Sequence, residues 1–206
     1  MGAGPDTTVP WVFDSSRLTL EVLWRLLGLR VHGLENIPKE GAAIFAINHV
    51  SNLDPLLAGT IIARVRRFRG IGKKELFQMP FVGTYLRAMG SFPVDRERGD
   101  TGALKQALEI LERGDLFLMA PEGTRVKAGR PRTPKAGVGF LAQRTGVPVI
   151  PIRVHGTDQP PYFGRLWVRI GEPIRFQSQH EDPLELRAAH QRFADELMAR
   201  IYSFKE

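Results

Sequence analysis

The sequence has 206 residues, of which 43% are hydrophobic and 25% are charged, an ordinary balance for one globular domain with a substantial core. Its formal net charge of +7 favours an acidic partner, such as nucleic acid, an anionic membrane or a phosphorylated substrate. Because the chain has no cysteine, disulfides, thiolate metal ligands and a cysteine nucleophile are excluded.

An N-terminal helix is predicted between Asp14–Ser16, which are candidate N-caps, and Gly28, which suits a helix C-terminus. Most of its circumference is apolar, apart from one polar stripe formed by Arg17, Glu21 and Arg25. So wide an apolar arc is typical of a buried helix, which the sequence slightly favours, or of a helix partly inserted in an interface. The apolar stretch is too short and too charged for a bilayer span, which needs roughly 20 residues.

The rest of the chain alternates short apolar runs of strand length with helical patterns. Strands are predicted over residues 42–47, 67–71, 91–94, 116–120, 149–154, 166–170 and 173–176. Helices are predicted over residues 55–63, 101–113, 137–145 and 182–202. This alternation predicts an α/β fold, with a central and mostly parallel sheet flanked by helices. The expected organisation is an N-terminal helical segment, residues 1–33, and one domain over residues 34–206.

A histidine and an aspartate follow the first predicted strand. His49 stands at the carboxyl end of that strand, where open α/β sheets bind ligands. Asp54 lies five residues on, so in one regular helix the two side chains would point about 140° apart. They can meet only if His49 lies in a turn and Asp54 near a helix start, and Asp54-Pro55 suits an N-cap and first helical position. A carboxylate bonded to one ring nitrogen leaves the other as a general base, although an ordinary cap and a structural histidine remain the plain alternative.

Three further segments carry candidate binding residues. Arg96 follows the predicted strand 91–94, and the segment Pro121–Arg125 follows the strand 116–120 at the same expected edge. The segment Val147–Pro151 enters a strand. Arg96 and Arg125 could bind one phosphate together, and Glu122 could hold a guanidinium or contact a substrate hydroxyl. A surface salt bridge is the common alternative for an arginine beside an acid.

In this order, four segments resemble the motifs of the glycerol-phosphate acyltransferase superfamily: Asn48-His49-x4-Asp54, Gly90…Val94-Asp95-Arg96, Pro121-Glu122-Gly123-Thr124-Arg125 and Val147-Pro148-Val149-Ile150-Pro151. Within it, the chain is most similar to the 1-acyl-sn-glycerol-3-phosphate acyltransferases, which convert lysophosphatidic acid into phosphatidic acid. Ala120 stands where an aromatic residue is common, and Val126-Lys127 where serine often follows. These departures concern the acceptor and leave the chemistry unchanged.

The resemblance implies that residues 34–206 form an acyltransferase domain, with His49 as the catalytic base and Asp54 as its partner. It implies a set of acceptor-binding residues: Asn48, Arg96, Glu122, Gly123, Thr124, Arg125 and Lys135. The implied substrates are a lysophospholipid acceptor, above all lysophosphatidic acid, and an acyl-CoA or acyl-carrier-protein donor. With no cysteine and no Gly-x-Ser-x-Gly, direct transfer without an acyl-enzyme is expected. No cofactor is implied, and no His-Glu-x-x-His suggests a metal site.

Two basic runs, residues 64–74 and 120–135, could face anionic lipid head groups or an acidic donor carrier, although a solvated face is the plain alternative. Together with the N-terminal helix they predict peripheral attachment to the cytoplasmic side of a membrane, because stable attachment usually takes two signals. Nucleic-acid binding is not expected, since no recognisable motif accompanies the charge. The segment Gly137–Ala142 matches a dinucleotide-binding pattern but follows no strand.

Two other functions are compatible with the sequence. One is a related acyltransferase that acts on glycerol-3-phosphate, another lysophospholipid or a lipid alcohol. The other is a catalytically silent lipid-binding protein of the same fold. The intact pair of His49 and Asp54 argues against the silent protein, which would need neither side chain.

Overall fold

A seven-stranded sheet with helices on both faces forms the body of the chain. The computed structural model describes residues 8–94, 101–127, 132–178 and 182–206. The strands are β1 (Arg30–His32), β2 (Ala43–Ile47), β3 (Phe68–Lys73), β4 (Phe92–Val94), β5 (Leu116–Met119), β6 (Val149–His155) and β7 (Trp167–Ile170). The helices are α1 (Pro10–Leu26), α2 (Leu53–Ile62), α3 (Lys74–Gln78), α4 (Pro80–Ala88), α5 (Thr101–Glu112), α6 (Gly137–Thr145) and α7 (Pro183–Ser203). The predicted α/β class is confirmed.

The sheet order places the strands that precede His49 and the segment Pro121–Arg125 side by side, whereas β4, the strand before Arg96, lies at the edge of the sheet. The order is β1-β7-β6-β2-β5-β3-β4, and only the β6–β7 pair is antiparallel. Strand β2 lies between β5 and β6, and all three run in the same direction. Their carboxyl ends therefore meet at one edge, which is where an open α/β sheet places its ligand site.

Strand β2 is buried on both faces, which explains its unbroken apolar run. Phe45 and Ile47 pack with Trp24 of α1 and Leu57 of α2 on one face of the sheet. Ile44 and Ala46 pack on the other face, with the inner sides of α5, α6 and α7. Because successive side chains of a strand point to opposite faces, β2 packs into both hydrophobic cores. This packing fixes where the segment after Ile47 leaves the sheet.

Two predictions near the N-terminus differ from the structure. Helix α1 begins at Pro10, so Asp14–Ser16 lie inside it and are not its N-cap; proline suits the first helical turn because its fixed φ and missing N–H cost nothing there. The division of the chain at residue 33 stays a prediction. Strand β1, which lies before that division, pairs with β7 in the sheet.

Two later segments also differ from their predictions. Residues 173–176, predicted as a strand, make only one bridge, between Ile174 and Val149. Residues 74–88, for which no element was predicted, form the short helices α3 and α4. Helix α4 begins at a proline that no N-cap side chain precedes, which is why the usual start signal is missing there.

Helix α1 turns Glu21 of its polar stripe toward the protein and an apolar face outward, while Arg25 stays exposed. Glu21 is only 7% exposed, and its carboxylate accepts hydrogen bonds from Arg25 and from Arg64 of the segment after α2. Large apolar side chains lie on the exposed side: Trp11 (73% exposed), Leu18 (53%), Val22 (58%) and Leu26 (70%). Helix α1 is therefore not the fully buried helix that the sequence slightly favoured. Among the residues the structure describes, no helix is long and apolar enough to cross a membrane.

The basic run over residues 64–74 does not form an open cationic face. Four of its arginines bind partners within the chain: Arg64 binds Glu21, Arg66 the carbonyls of Gly41 and Gly114, Arg67 Asp14, and Arg69 Asp115. These contacts tie α1 and the loop before β5 to the segment between α2 and β3. That this run faces lipid head groups stays a prediction, with four of its positive charges bound to partners within the chain.

Candidate active site

His49 and Asp54 meet in the turn between β2 and α2. The Nδ1 atom of His49 lies 3.3 Å from the Oδ2 atom of Asp54. Asp54 is the second residue of α2, while Asn52 precedes the helix, so the prediction that Asp54 is the N-cap is wrong by two positions. The geometric requirement that brought the two side chains together is nevertheless met: the histidine stands in a turn and the aspartate in the first turn of a helix.

The carboxylate of Asp54 is surrounded by hydrogen-bond donors. Its Oδ2 accepts from the backbone N–H groups of Val50 (2.6 Å) and Ser51 (2.7 Å), and its Oδ1 accepts from the hydroxyl of Thr157. The side chain is fully buried, whereas that of His49 is 13% exposed. With the carboxylate fixed as an acceptor, Nδ1 of His49 is the protonated ring nitrogen, and Nε2 is free to accept a proton.

Glu122 fixes the backbone of the same histidine. Its Oε2 accepts from the backbone N–H of His49 at 2.8 Å, and its Oε1 accepts from the hydroxyl of Tyr202 at 2.6 Å. The residue is 2% exposed. Burial raises the pKa of Glu122. The pKa of Tyr202 is also raised, mainly by burial and secondly by its hydrogen bond to Glu122. Both oxygens accept from protein donors, which do not include Arg125, so the predicted contact with a substrate hydroxyl is not what the structure shows. The predicted pairing of Glu122 with Arg96 lies outside the described residues.

Asn48 joins two strands and does not face the site. Its side-chain Nδ2 donates to the carbonyl of Val154 at 3.0 Å, and its Oδ1 accepts from the N–H of the same residue at 2.8 Å. The side chain is fully buried. The expectation that Asn48 binds substrate is corrected: this amide holds the end of β2 against β6, and so sets the position of His49.

The loop after β5 lies against the histidine turn and carries exposed cations. Val126 donates its N–H to the carbonyl of His49 at 2.8 Å. Seven residues line a depression of about 540 Å³ beside the turn: Val50, Thr124, Arg125, Val126, Lys127, Asp158 and Gln159. The side chains of Arg125 and Lys127 are exposed. The structure thus brings Thr124 and Arg125 next to the turn, as the sequence predicted.

Gly123 and Lys135 meet where this loop leaves β5 and where it returns. Gly123 has a φ of +70°, and a Cβ atom on it would lie 2.9 Å from Cε of Lys135. Glycine is required here both for the left-handed backbone and for the close passage of the lysine stem. Lys135 also donates its backbone N–H to Pro121, which closes the loop. Arg96, the remaining predicted binding residue, lies outside the described residues.

Two residues of the site were not predicted from the sequence. Thr157 follows β6 at the same sheet edge as His49, so a survey of polar residues just beyond each strand would have found it. Tyr202 lies near the end of α7, 80 residues from Glu122 along the chain, and no local pattern marks it. Both contact a residue that in turn contacts His49, and neither belongs to a segment that resembles a family motif.

This geometry suits proton abstraction beside an anion-binding surface. An imidazole with one nitrogen fixed by a buried carboxylate can act as a general base, and exposed cations next to it can bind a phosphate. Within the described ranges, no three histidine, aspartate or glutamate side chains are grouped so that they could hold a metal ion.

The fold and this site place the chain in a known class of enzymes: it belongs to the acyltransferase family. A family model described as Acyltransferase matches residues 28–155, which include β2, the histidine turn, the loop after β5 and β6. The match confirms the family that the sequence motifs indicated.

Particular relatives sharpen this assignment. The chain is 36% identical over 134 residues to the chloroplastic 1-acyl-sn-glycerol-3-phosphate acyltransferase LPAT1 of Arabidopsis thaliana, covering 64% of this chain and 37% of that protein. It is 29% identical over 150 residues to the 1-acyl-sn-glycerol-3-phosphate acyltransferase of Bacillus subtilis, covering 71% and 74%. The chain thus spans less than half of the plant protein and about three quarters of the bacterial one.

A solved structure supports the fold over almost the whole chain. The crystal structure of PlsC, the 1-acyl-sn-glycerophosphate (LPA) acyltransferase of Thermotoga maritima, matches with a TM-score of 0.71 at 28% sequence identity. The match covers 96% of this chain and 82% of that one. This match therefore extends beyond residues 28–155.

Proposed function

We propose that this chain transfers a fatty acyl group from an acyl thioester to the free hydroxyl of lysophosphatidic acid, forming phosphatidic acid. The observation that carries this proposal is the His49–Asp54 pair, held 3.3 Å apart beside a depression with exposed cations. The names of the plant and Bacillus relatives support the choice of acceptor. A related acyltransferase with another acceptor remains the second candidate, because Ala120 and Val126-Lys127 depart from the usual motif beside the depression.

His49 acts as the general base of this reaction. Its Nε2 takes the proton of the acceptor hydroxyl while the hydroxyl oxygen attacks the carbonyl carbon of the thioester. Asp54 stabilises the imidazolium that forms; the carbon–sulfur bond then breaks, and the proton passes from His49 to the departing thiolate. General-base assistance is worth about 10²–10⁴-fold in rate. No acyl-enzyme forms in this scheme, and no cofactor takes part.

The remaining rate enhancement comes from holding the acceptor by its phosphate. Arg125 and Lys127 are exposed beside the turn and suit this anion, and Thr124 lines the same depression. The acceptor-binding roles of Arg96 and Lys135 are proposed from the family motifs alone. Arginine matches a phosphate with two parallel hydrogen bonds, so Arg125 contributes orientation as well as charge. Acyl-CoA or acyl-carrier protein serves as donor.

We also propose that the segment 1–33 attaches the protein to the cytoplasmic surface of an anionic membrane. The outward face of α1 carries Trp11, Leu18, Val22 and Leu26, a set of apolar side chains that a lipid interface would cover. Helix α4 adjoins the start of α1, since Val9 donates to the carbonyl of Ala88, and it exposes Phe81 (90%). This attachment brings the base to the leaflet that holds the acceptor.

Acyl transfer is tested with the purified chain and a matrix of substrates. The acceptors are lysophosphatidic acid, glycerol-3-phosphate, other lysophospholipids and a long-chain alcohol, and each is offered with acyl-CoA and with acyl-carrier protein. Mass spectrometry should show phosphatidic acid as the main product. Preference for another acceptor would overturn the substrate assignment, and binding without transfer to any acceptor would indicate the silent lipid-binding protein.

Membrane attachment is tested separately by sedimentation with vesicles of phosphatidylcholine and phosphatidylglycerol. Replacing Leu18, Val22 and Leu26 of α1 with serine should release the protein into the supernatant. The control is Phe163→Ser, which removes an equally exposed apolar side chain (71%) from a loop outside α1 and α4. Equal release by both variants would contradict a specific role of α1.

A further inference from the structure

A chain of two hydrogen bonds connects the C-terminal helix to the backbone of the histidine. The hydroxyl of Tyr202 donates to Oε1 of Glu122 at 2.6 Å, and Oε2 of Glu122 accepts from the N–H of His49 at 2.8 Å. We propose that Tyr202 is a positioning residue for acyl transfer: by fixing Glu122, it fixes the backbone of His49. The inference deepens the proposed function and rests on it for its kinetic consequence.

Burial makes this connection specific to the tyrosine. Glu122 is 2% exposed, so bulk water does not readily replace a lost donor at its Oε1. A buried carboxylate oxygen that loses its donor is costly, and the carboxylate gains by rotating toward another partner. Because the two oxygens of Glu122 belong to one rigid group, rotation at Oε1 also moves Oε2 away from the N–H of His49.

Strand β6 holds the ring of Tyr202 in place. The guanidinium carbon of Arg153 lies 4.5 Å from the centroid of the ring, a cation–π contact. The Nη1 atom of Arg153 is buried and has no hydrogen-bond partner within the described ranges. Tyr202 is thus fixed at its ring by β6 and at its hydroxyl by the loop after β5.

The charge of Glu122 depends on the same neighbours. Burial raises its pKa, while the hydrogen bond from Tyr202, the hydrogen bond and charge of His49, and the charge of Arg153 act in the opposite direction. Lys135 is another charged residue close to Glu122, because its side chain passes over Gly123, the residue that follows Glu122. Without the tyrosine hydroxyl, Glu122 would bind a proton at a higher pH and would no longer accept at both oxygens.

The test is Tyr202→Phe, which keeps the ring over Arg153 and removes only the hydroxyl. We expect kcat for phosphatidic acid formation to fall roughly tenfold, the effect of losing one hydrogen bond to a charged group. KM for lysophosphatidic acid should change little, and the pH below which kcat declines should move upward. The control is Tyr162→Phe, the same deletion on the opposite face of the sheet, which should keep wild-type kinetics.

A double-mutant cycle separates positioning from general damage. Combining Tyr202→Phe with Glu122→Gln should give a smaller loss than the product of the two single losses, because both act on one connection. A loss in the double variant equal to the product of the two single losses would overturn the proposal. A wild-type kcat and a wild-type pH profile in Tyr202→Phe would also overturn it. Should Tyr202→Phe unfold at a lower temperature, the pH profile still decides, since a folding defect lowers kcat without moving the pH of the decline.

Hydrogen exchange gives a readout that does not depend on activity. Measured by NMR, the backbone N–H of His49 should exchange faster in Tyr202→Phe than in the wild type. The backbone N–H of Val154, which donates to the side chain of Asn48, should exchange at the wild-type rate. Unchanged exchange at His49 would contradict the positioning role. If the wild type transfers no acyl group to any acceptor, the proposed function fails, and this exchange measurement still tests the connection itself.

Discussion

The turn after β2 and the loop after β5 leave neighbouring strands at the same edge of the sheet, yet the turn buries its charged side chain and the loop exposes its charged side chains. In the turn, Asp54 is fully buried. Its carboxylate is hydrogen-bonded by two backbone N–H groups, one imidazole ring and one hydroxyl, those of Val50, Ser51, His49 and Thr157. In the loop, the side chains of Arg125 and Lys127 are exposed. A catalytic base works best in one fixed geometry, whereas a cation that binds substrate has to be reachable.

The two regions are nevertheless joined through one residue. His49 donates its N–H to Glu122 and accepts at its carbonyl from Val126, so both of its backbone polar groups bond to the loop. The loop is therefore rigid where it supports the histidine and exposed just beyond. This division predicts that changes in the turn lower kcat and that changes to the exposed cations raise KM.

Of the variants that test this division between turn and loop, Asp54→Asn is expected to have the largest effect. The asparagine amide places a donor where the carboxylate accepts, and it cannot stabilise an imidazolium by charge. We expect kcat to fall roughly 10²-fold, the scale of losing bonds to a buried charged group, with KM nearly unchanged. Steady-state kinetics with lysophosphatidic acid measures this.

Asp195→Asn is the matched control, since Asp195 is an exposed aspartate of α7 that bonds only to Gln191 in the described structure. It should leave kcat unchanged. A tenfold increase in KM with unchanged kcat in Asp54→Asn would place this aspartate in substrate binding and break the comparison.

A smaller effect, on KM and not on kcat, is expected for the double variant Arg125→Gln and Lys127→Gln. Losing two exposed charges should raise KM for lysophosphatidic acid about tenfold while kcat changes little. The control is Arg187→Gln, an exposed arginine of α7 that lies about 22 Å along the helix from Tyr202 at 1.5 Å per residue. A fall in kcat without a rise in KM would show that these cations do not bind the acceptor.

The smallest effect concerns stability and a buried group outside the site. His190 packs against Phe140 and Phe176, and its Nε2 has no hydrogen-bond partner in the part of the chain that the structure describes. Burial lowers the pKa of His190, so the unfolded chain takes up this proton first. The free energy of unfolding should therefore decline as the pH falls through about 6.5, the ordinary value of an unfolded histidine.

Comparing the melting temperature of wild type and His190→Phe at about pH 7.5 and about pH 5 tests this sign. The phenylalanine variant should lose less stability on acidification. Because Glu122 has a raised pKa and contributes in the opposite sense, the difference between the two proteins is the relevant quantity. Parallel pH dependence of the two proteins would contradict the lowered pKa of a buried, unpaired His190.

Much of the fold could be predicted because local patterns and the fold agree there. The residues of α6 were predicted at both ends, and Asp182 caps α7 by accepting from the N–H groups of Leu184 and Glu185, which is the behaviour its position before a proline suggested. Helix α1 could not be oriented in advance. Glu21 faces inward because Arg64, 43 residues away, binds it, and no local pattern contains that information.

The site divides in the same way. The pair of His49 and Asp54 could be predicted because five residues separate them and helix geometry limits how they meet. Thr157 lies 103 residues from Asp54, and Tyr202 lies on a helix that is not next to Glu122 in sequence, so only the folded sheet brings them together. Asn48 and Glu122 were predicted to bind substrate because the motif contains them, whereas their buried contacts place them in support of the histidine.

The most direct test of the account compares kcat of the wild type and of His49→Ala with lysophosphatidic acid and acyl-CoA, after thermal unfolding has shown that both are folded. We expect a loss of about 10²–10⁴-fold in kcat, because only the proposed general base is removed while the exposed cations beside it remain. Acyl transfer at the wild-type rate in His49→Ala would contradict the account, since the turn, its carboxylate and its supporting bonds would then serve no base.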